Sequence, residues 1–129
     1  MRTRWLVVFS LLVIVALVLS ACGGGAASAP ATPKPKGDAT KGKAVFASTC
    51  SACHGADGKG LPNLGKDFTT STFVKGMTDD QFLAFLKVGR PASDPLNTTK
   101  VDMPPKGGNP ALTDQDLYDV IAYIRTLVK

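Results

Sequence analysis

Three hydrophobic patterns follow one another along this chain. From Trp5 to Leu19 apolar residues run with only Ser10 to interrupt them, from Gly23 to Gly37 no aliphatic side chain exceeds Ala, and from Asp38 onward apolar positions recur with a helical period. The clearest stripe is Leu117, Val120, Ile121, Ile124 and Leu127, which share one helix face. Thr113 and Asp116 ahead of it form a capping box, Leu112 can staple to Leu117, and Asp114 and Asp116 suit the positive helix end as Arg125 and Lys129 suit the negative one. A second helix starts at Thr78 with Gln81 as its box partner and Met77 stapling to Phe82. It buries Phe82, Leu83, Phe85 and Leu86 and stops at Gly89 and Pro91. A third is predicted from the Asp38 cap through Ala44, Val45 and Phe46 to Cys50. Gly42 lies one turn from Phe46 on its face; a helical glycine costs roughly 1 kcal/mol, so either another backbone approaches there or the helix start tolerates a defect. No long alternating run signals a strand, and the expected core is small and all-α.

The first two patterns lie outside that core. Met1 to Arg4 is a short basic stretch ahead of the apolar run, which together read as an export signal. Leu19-Ser20-Ala21-Cys22 resembles a bacterial lipobox, in which the chain is cut before the cysteine and lipid is attached to its thiol. The expected organisation is a lipoprotein signal peptide over 1–21, a lipid-anchored linker over 22–37 and a folded domain over 38–129. The competing reading is a retained helix, since Trp5 to Ala21 nears the lower limit of a membrane span. Either way the domain is expected at the outer, periplasmic face of a bacterial cytoplasmic membrane. Pro30, Pro33 and Pro35 extend a linker whose reach is roughly 20 to 45 Å.

The chain has 129 residues, three Cys, one His, no Glu and a formal charge of +5. Without Arg2 and Arg4 it keeps 13 basic and 10 acidic residues, a balance of +3. An exported, mildly basic domain points away from nucleic acid, and acid–base catalysis has few candidates. Cys50-Ser51-Ala52-Cys53-His54 is the C-x-x-C-H signature of c-type haem attachment. Two thiols at that spacing can bond the two vinyl groups of one haem c, and His54 then faces the iron. A zinc site would want four Cys or His ligands, and a thioredoxin-like pair a βαβ setting; neither is found. Cys22 is then the leftover thiol, which lipidation explains.

The helix ending in C-x-x-C-H, the glycine-rich loop from His54 to Leu64, Met103-Pro104-Pro105 and the final Asp119 to Arg125 together resemble a class I mono-haem cytochrome c over residues 38–129. The resemblance implies a small all-α fold wrapped around one covalent haem. It implies that Gly42 and Phe46 pack against Val120 and Tyr123 where the first and last helices cross, and that the carbonyl of Pro62 accepts a hydrogen bond from His54. The haem site is thus expected to rest on Cys50, Cys53, His54, Met103, Pro62, Gly42, Phe46 and Tyr123, with His54 and Met103 on the iron.

Met103 is preferred as sixth ligand because Met1 leaves with the signal and Met77 is accounted for as a staple. It sits in a loop with no helix to bury it, stiffened by Pro104 and Pro105. The alternatives are Met103 packing on the haem edge without ligation, and Met77 as ligand. His/Met ligation leaves no open site and raises the potential, so an electron carrier rather than an enzyme is expected. Lys59, Lys66, Lys100 and Lys106 could steer an acidic partner. The stretch from Gly89 to Thr99, followed by Val101 to Pro110, is similar to the lipid-anchored mono-haem subunit of alternative complex III. That similarity implies a quinol-oxidising membrane complex as host and a soluble carrier or terminal oxidase as acceptor. The alternatives are a free-standing tethered shuttle and, less favoured, a peroxidase-like or gas-sensing haem.

Overall fold

The computed structural model describes residues 37–129; the signal segment, Cys22 and the linker up to residue 36 lie outside the described residues. The first helix, α1 (Ala39–Val45), is capped by Asp38, whose carboxylate accepts the Thr40 and Lys41 N–H groups at 2.9 and 3.3 Å. It passes into a π-helical turn at Phe46–Cys50 and ends as α2 (Ser51–His54). A π turn carries one residue more than an α turn. Cys50, Cys53 and His54 are therefore rotated relative to the face that Gly42 and Phe46 present to the core.

Three further helices complete the domain. The short α3 (Thr72–Gly76) is capped by Ser71, whose hydroxyl accepts the Val74 N–H at 3.2 Å. The next, α4 (Asp79–Val88), carries the complete Thr78–Gln81 capping box and ends at Gly89 with φ 72°. The last, α5 (Asp114–Leu127), has the Thr113–Asp116 box. A 3-10 turn at Pro105–Gly108 precedes it and holds Lys106 and Gly107 in the left-handed region, at φ 53° and 67°. Among the described residues no strand forms, and an antiparallel bridge joins Arg90 to Met103.

The core is the crossing of α1 on α5, closed by α4. Phe46, Phe82, Val120, Ile121 and Ile124 are each about 1% exposed, and burying a side chain of that size contributes about 1.5–3 kcal/mol. Gly42 sits at the crossing, where an added Cβ would run into the Asp119 carbonyl and come within 2.8 Å of the Val120 nitrogen. The Phe46 and Tyr123 rings meet edge to face beside it, 5.3 Å apart. Asp119, buried in α5, accepts the Asp38 N–H and the Gln115 side chain, both at 2.8 Å. That bond ties the start of α1 to α5.

Arg125 does more than suit the end of α5. Its guanidinium donates to the carbonyls of Val74 and Met77 and to Asp79, and lies 5.6 Å above the Phe82 ring. It thereby fixes the α3–α4 junction against α5, which settles where the chain leads into α4 and the loop beyond. Among the described residues no helix is long and apolar enough to cross a membrane.

Candidate functional site

Cys50, Cys53, His54 and Met103 all line one cavity of ≈ 530 Å³. Phe82, Leu86, Leu117, Val120 and Ile124 form its apolar wall. Gly42, Phe46, Tyr123 and Pro62, expected to belong to the haem site, are not among its lining residues. The first three build the α1–α5 crossing, one layer behind the wall.

His54 is oriented from two sides. Its ring stacks on Phe68, with centroids 4.2 Å apart and planes 23° apart. Its Nδ1 lies 3.0 Å from the Lys66 carbonyl. A carbonyl can only accept, so Nδ1 carries the proton and Nε2 keeps the lone pair a metal requires. Burial pushes the imidazole pKa below its usual value, with the Lys66 hydrogen bond acting weakly the other way. The ring is therefore neutral near pH 7, the form that binds iron.

The acceptor is Lys66 and not Pro62, which corrects the expectation drawn from the sequence. Pro62 and Asn63, with Asn63 at φ 58°, are the central pair of a turn closed by the Leu64 N–H on the Leu61 carbonyl at 3.1 Å. That turn leaves Pro62 exposed. The chain then returns through Gly65, where an added Cβ would collide with the Cys53 carbonyl. Only a glycine allows so close a pass, and it carries the next residue's carbonyl beneath the imidazole.

The Cys50 thiol is pushed up to about 11, first by burial and then by the neighbouring Cys53. A reactive exchange thiol carries a lowered pKa, the opposite of the shift at Cys50. The Cys50 environment suits a sulfur that ends as a neutral thioether. No cluster of three or more His, Cys, Asp or Glu able to hold a metal ion occurs among the described residues.

Met103 is placed by its backbone. Its N–H and C=O exchange hydrogen bonds with Arg90 at 2.9 and 2.8 Å. Gly89 passes so close to the Met103 carbonyl that a Cβ would strike it. The intervening loop is organised around Asn97, which is 5% exposed. Its amide donates to the carbonyls of Val101 and Pro91 at 2.7 and 3.1 Å, with a longer approach to Arg90 at 3.4 Å. Its oxygen accepts from Thr99 and the Lys100 N–H, both at 3.0 Å. Met77 is not among the cavity residues; its carbonyl serves Arg125 at 2.5 Å.

Sequence reasoning missed Asn97 and Arg90. An Asn in a Pro- and Thr-rich loop carries no mark of burial. Arg90 is 18% exposed, with its guanidinium carbon 4.6 Å from the Phe73 ring centre and 4.9 Å from that of Phe85. The lysines expected to steer a partner are partly engaged within the domain. Lys106 donates to the carbonyls of Pro110 and Leu112 at 3.1 and 2.7 Å, Lys59 pairs with Asp57 at 3.3 Å, and Lys66 reaches Thr98.

The residues fit a haem. The cavity is of cofactor size and apolar over most of its lining. It presents two sulfurs at C-x-x-C spacing, one imidazole with a fixed tautomer and one thioether on a braced loop. That is the donor set of covalent haem c, and the apolar wall supplies the packing surface a flat macrocycle needs.

Comparison with known proteins accords with this. The cytochrome c family model matches residues 39–128. Cytochrome c-555 of Prosthecochloris aestuarii is 31% identical over 87 residues, covering 67% of this chain and 85% of that protein. Cytochrome c-555 of Chlorobaculum thiosulfatiphilum is 33% identical over 88 residues, covering 67% and 93%. Subunit CcoP of the Cbb3-type cytochrome c oxidase of Rhodobacter capsulatus is 28% identical over 96 residues, covering 74% of this chain but 31% of that subunit. No solved structure matches the chain.

Proposed function

Because this chain belongs to the cytochrome c family and carries covalent haem c, we propose that it is a membrane-tethered one-electron carrier with His54 and Met103 as axial ligands. The bound haem supplies the one-electron couple. The chain supplies its place: Cys50 and Cys53 anchor it, Lys66 holds the His54 tautomer, and the Arg90 bridge holds Met103 in reach. The apolar wall excludes water, so electron exchange needs little rearrangement of solvent. The observation that carries the reading is the convergence of Cys50, Cys53, His54 and Met103 on one cavity. Met103→Ala tests it. The weak long-wavelength sulfur-to-iron band of the oxidised protein should vanish and carbon monoxide should bind the ferrous form rapidly. A band that survives would remove Met103 from the iron.

The finer role is a fixed subunit, lipid-anchored through Cys22 at the periplasmic face, within a quinol-oxidising complex similar to alternative complex III, passing electrons to a soluble carrier or terminal oxidase. The long loop from Gly89 to Pro110 supports it by its likeness to that complex's mono-haem subunit. A related domain also occurs within an oxidase subunit, CcoP. The free-standing tethered shuttle is favoured by a different observation, since the two c-555 cytochromes match over 85% and 93% of their own length. Haem-stained native gels of mildly solubilised membranes separate the two. Co-migration with a multi-haem quinol-oxidising assembly supports the subunit, and migration alone supports the shuttle.

A further inference from the structure

The basic surplus of this chain is concentrated where the chain enters the domain. Without Arg2 and Arg4 a balance of +3 remains, and all of it falls within residues 34–43, where Lys34, Lys36, Lys41 and Lys43 stand against Asp38 alone. From residue 44 onward nine basic and nine acidic side chains cancel. Asp38 is turned inward as the cap of α1, accepting the Thr40 and Lys41 N–H groups. Lys41 and Lys43 are exposed, and among the described residues their ammonium groups have no hydrogen-bond or ion-pair partner. The same stretch lies behind the cavity. Helix α1 contributes no residue to the lining. Gly37 is seated on α5 so closely that an added Cβ would strike the Tyr118 carbonyl and come within 2.8 Å of the Ala122 Cβ, and the Asp38 N–H donates to Asp119 at 2.8 Å. At about 3.6 residues per turn, Tyr118, Asp119 and Ala122 lie on the side of α5 opposite to Leu117, Val120 and Ile124, which wall the cavity. The chain thus brings its charge in on the face turned away from the haem.

We propose that this rear face, carried by Lys41 and Lys43 and continued in sequence by Lys34 and Lys36, sits on an anionic lipid surface and so turns the cavity mouth toward the aqueous side. This rests on the membrane-tethered reading above. Lipid is the occupant because a tether through Cys22 keeps a bilayer within the linker's reach at all times, and because the surplus charge adjoins the point where that tether joins the domain. A lysine beside an anionic bilayer is worth about fivefold in occupancy, so a cluster holds the domain down where one lysine would not. The attraction fades within a Debye length of about 10 Å. The charge-balanced remainder of the domain feels no such pull, which leaves the mouth free for a redox partner.

The test is a lysine footprint of the haem-loaded full chain on vesicles of phosphatidylcholine alone and of phosphatidylcholine with about a third phosphatidylglycerol. An uncharged, water-soluble amine-reactive ester is applied and each lysine is read by mass spectrometry. On the anionic vesicles Lys41 and Lys43 should be modified about tenfold more slowly than on the neutral ones, while Lys66 and Lys100 change less than about twofold. High salt should abolish the difference. An uncharged water-soluble reductant should reduce the haem at rates that agree within about twofold on the two vesicle types. Protection of Lys66 and Lys100 instead, a difference that survives high salt, or a several-fold slower reduction on anionic vesicles would each overturn the proposal, the last by showing the mouth covered. Equal lysine rates on the two vesicle types overturn it as well, and slowing in native membranes alone would then assign the face to an acidic protein. A chain that neutral vesicles do not retain counts against the tether, a separate failure, and the footprint on anionic vesicles is read as before.

Discussion

Asn97→Ala should loosen the methionine loop without loosening the core. The side chain makes four hydrogen bonds of 3.1 Å or shorter, two as donor and two as acceptor. Each is worth about 0.5–1.5 kcal/mol net, and the exposed flanks of the loop let water replace part of the loss, so about 3 kcal/mol is expected. By the rule of about 1.4 kcal/mol per decade, that is about a hundredfold increase in the open fraction of the loop. Amide hydrogen exchange reads it directly, because the Arg90 and Met103 N–H groups are bonded only while the bridge is closed. Their protection should fall about a hundredfold, while the amides of Val120 and Ile121 in α5 keep most of theirs.

Asn97→Asp sharpens the case. It preserves shape and the acceptor pair but turns an anionic oxygen toward the Val101 and Pro91 carbonyls, so it should be worse than alanine at 5% exposure, where solvent relieves little of the repulsion. Unchanged protection at Arg90 and Met103 in either variant would refute the idea that Asn97 organises the loop. Equal loss in the loop and in α5 would show instead that the loop and the core open as one unit.

Three further outcomes follow from the geometry. Gly42→Ala should destabilise the domain by about 2 kcal/mol, the cost of overpacking against backbone less the alanine propensity gain, whereas Gly76→Ala, with nothing within 4 Å of the added Cβ, should be neutral or stabilising by up to about 1 kcal/mol; thermal melts that rank them the other way would sink the close-crossing account. The Asp116 pKa is lowered first by the Thr113 hydroxyl and then by its backbone N–H, so its contribution is present above the ordinary carboxylate pKa and lost as pH falls through the lower folded value; Asp116→Asn should flatten the acid limb of stability against pH. Pro62→Ala should leave the haem spectrum and potential unchanged, because the His54 proton goes to Lys66, and a changed potential would return the acceptor role to Pro62.

The legible parts of this chain were those governed by local rules. Both capping boxes, the Asp38 cap, the Gly89 stop and the α5 stripe depend on residues within one or two turns, and the helices lie where those residues place them. The C-x-x-C-H run was equally legible, because its chemistry is fixed by spacing within five residues. The short α3 was not. Five residues are too few to show a period, and it is held by Ser71 and by Arg125 reaching back across 51 positions to Val74. The π turn was hidden for the same reason, since it changes the phase of a helix without changing its composition.

Where the reading failed, a long-range contact decided the local geometry. Lys66 displaced Pro62 because a glycine directly after the turn let the chain pass against Cys53, a contact 12 positions apart. Asn97 and Arg90 became site residues through partners on both sides of the loop they share. These contacts divide the labour of the site. The anchor, Cys50 to His54, is built into a helix end and inherits the rigidity of the α1–α5 crossing. The methionine hangs on a loop whose order comes from one buried amide and one two-residue backbone bridge. If Met103 is the sixth ligand, substitutions at Asn97 should change ligand detachment and potential at little cost to fold stability. Substitutions at Gly42, Phe46 or Tyr123 should do the reverse.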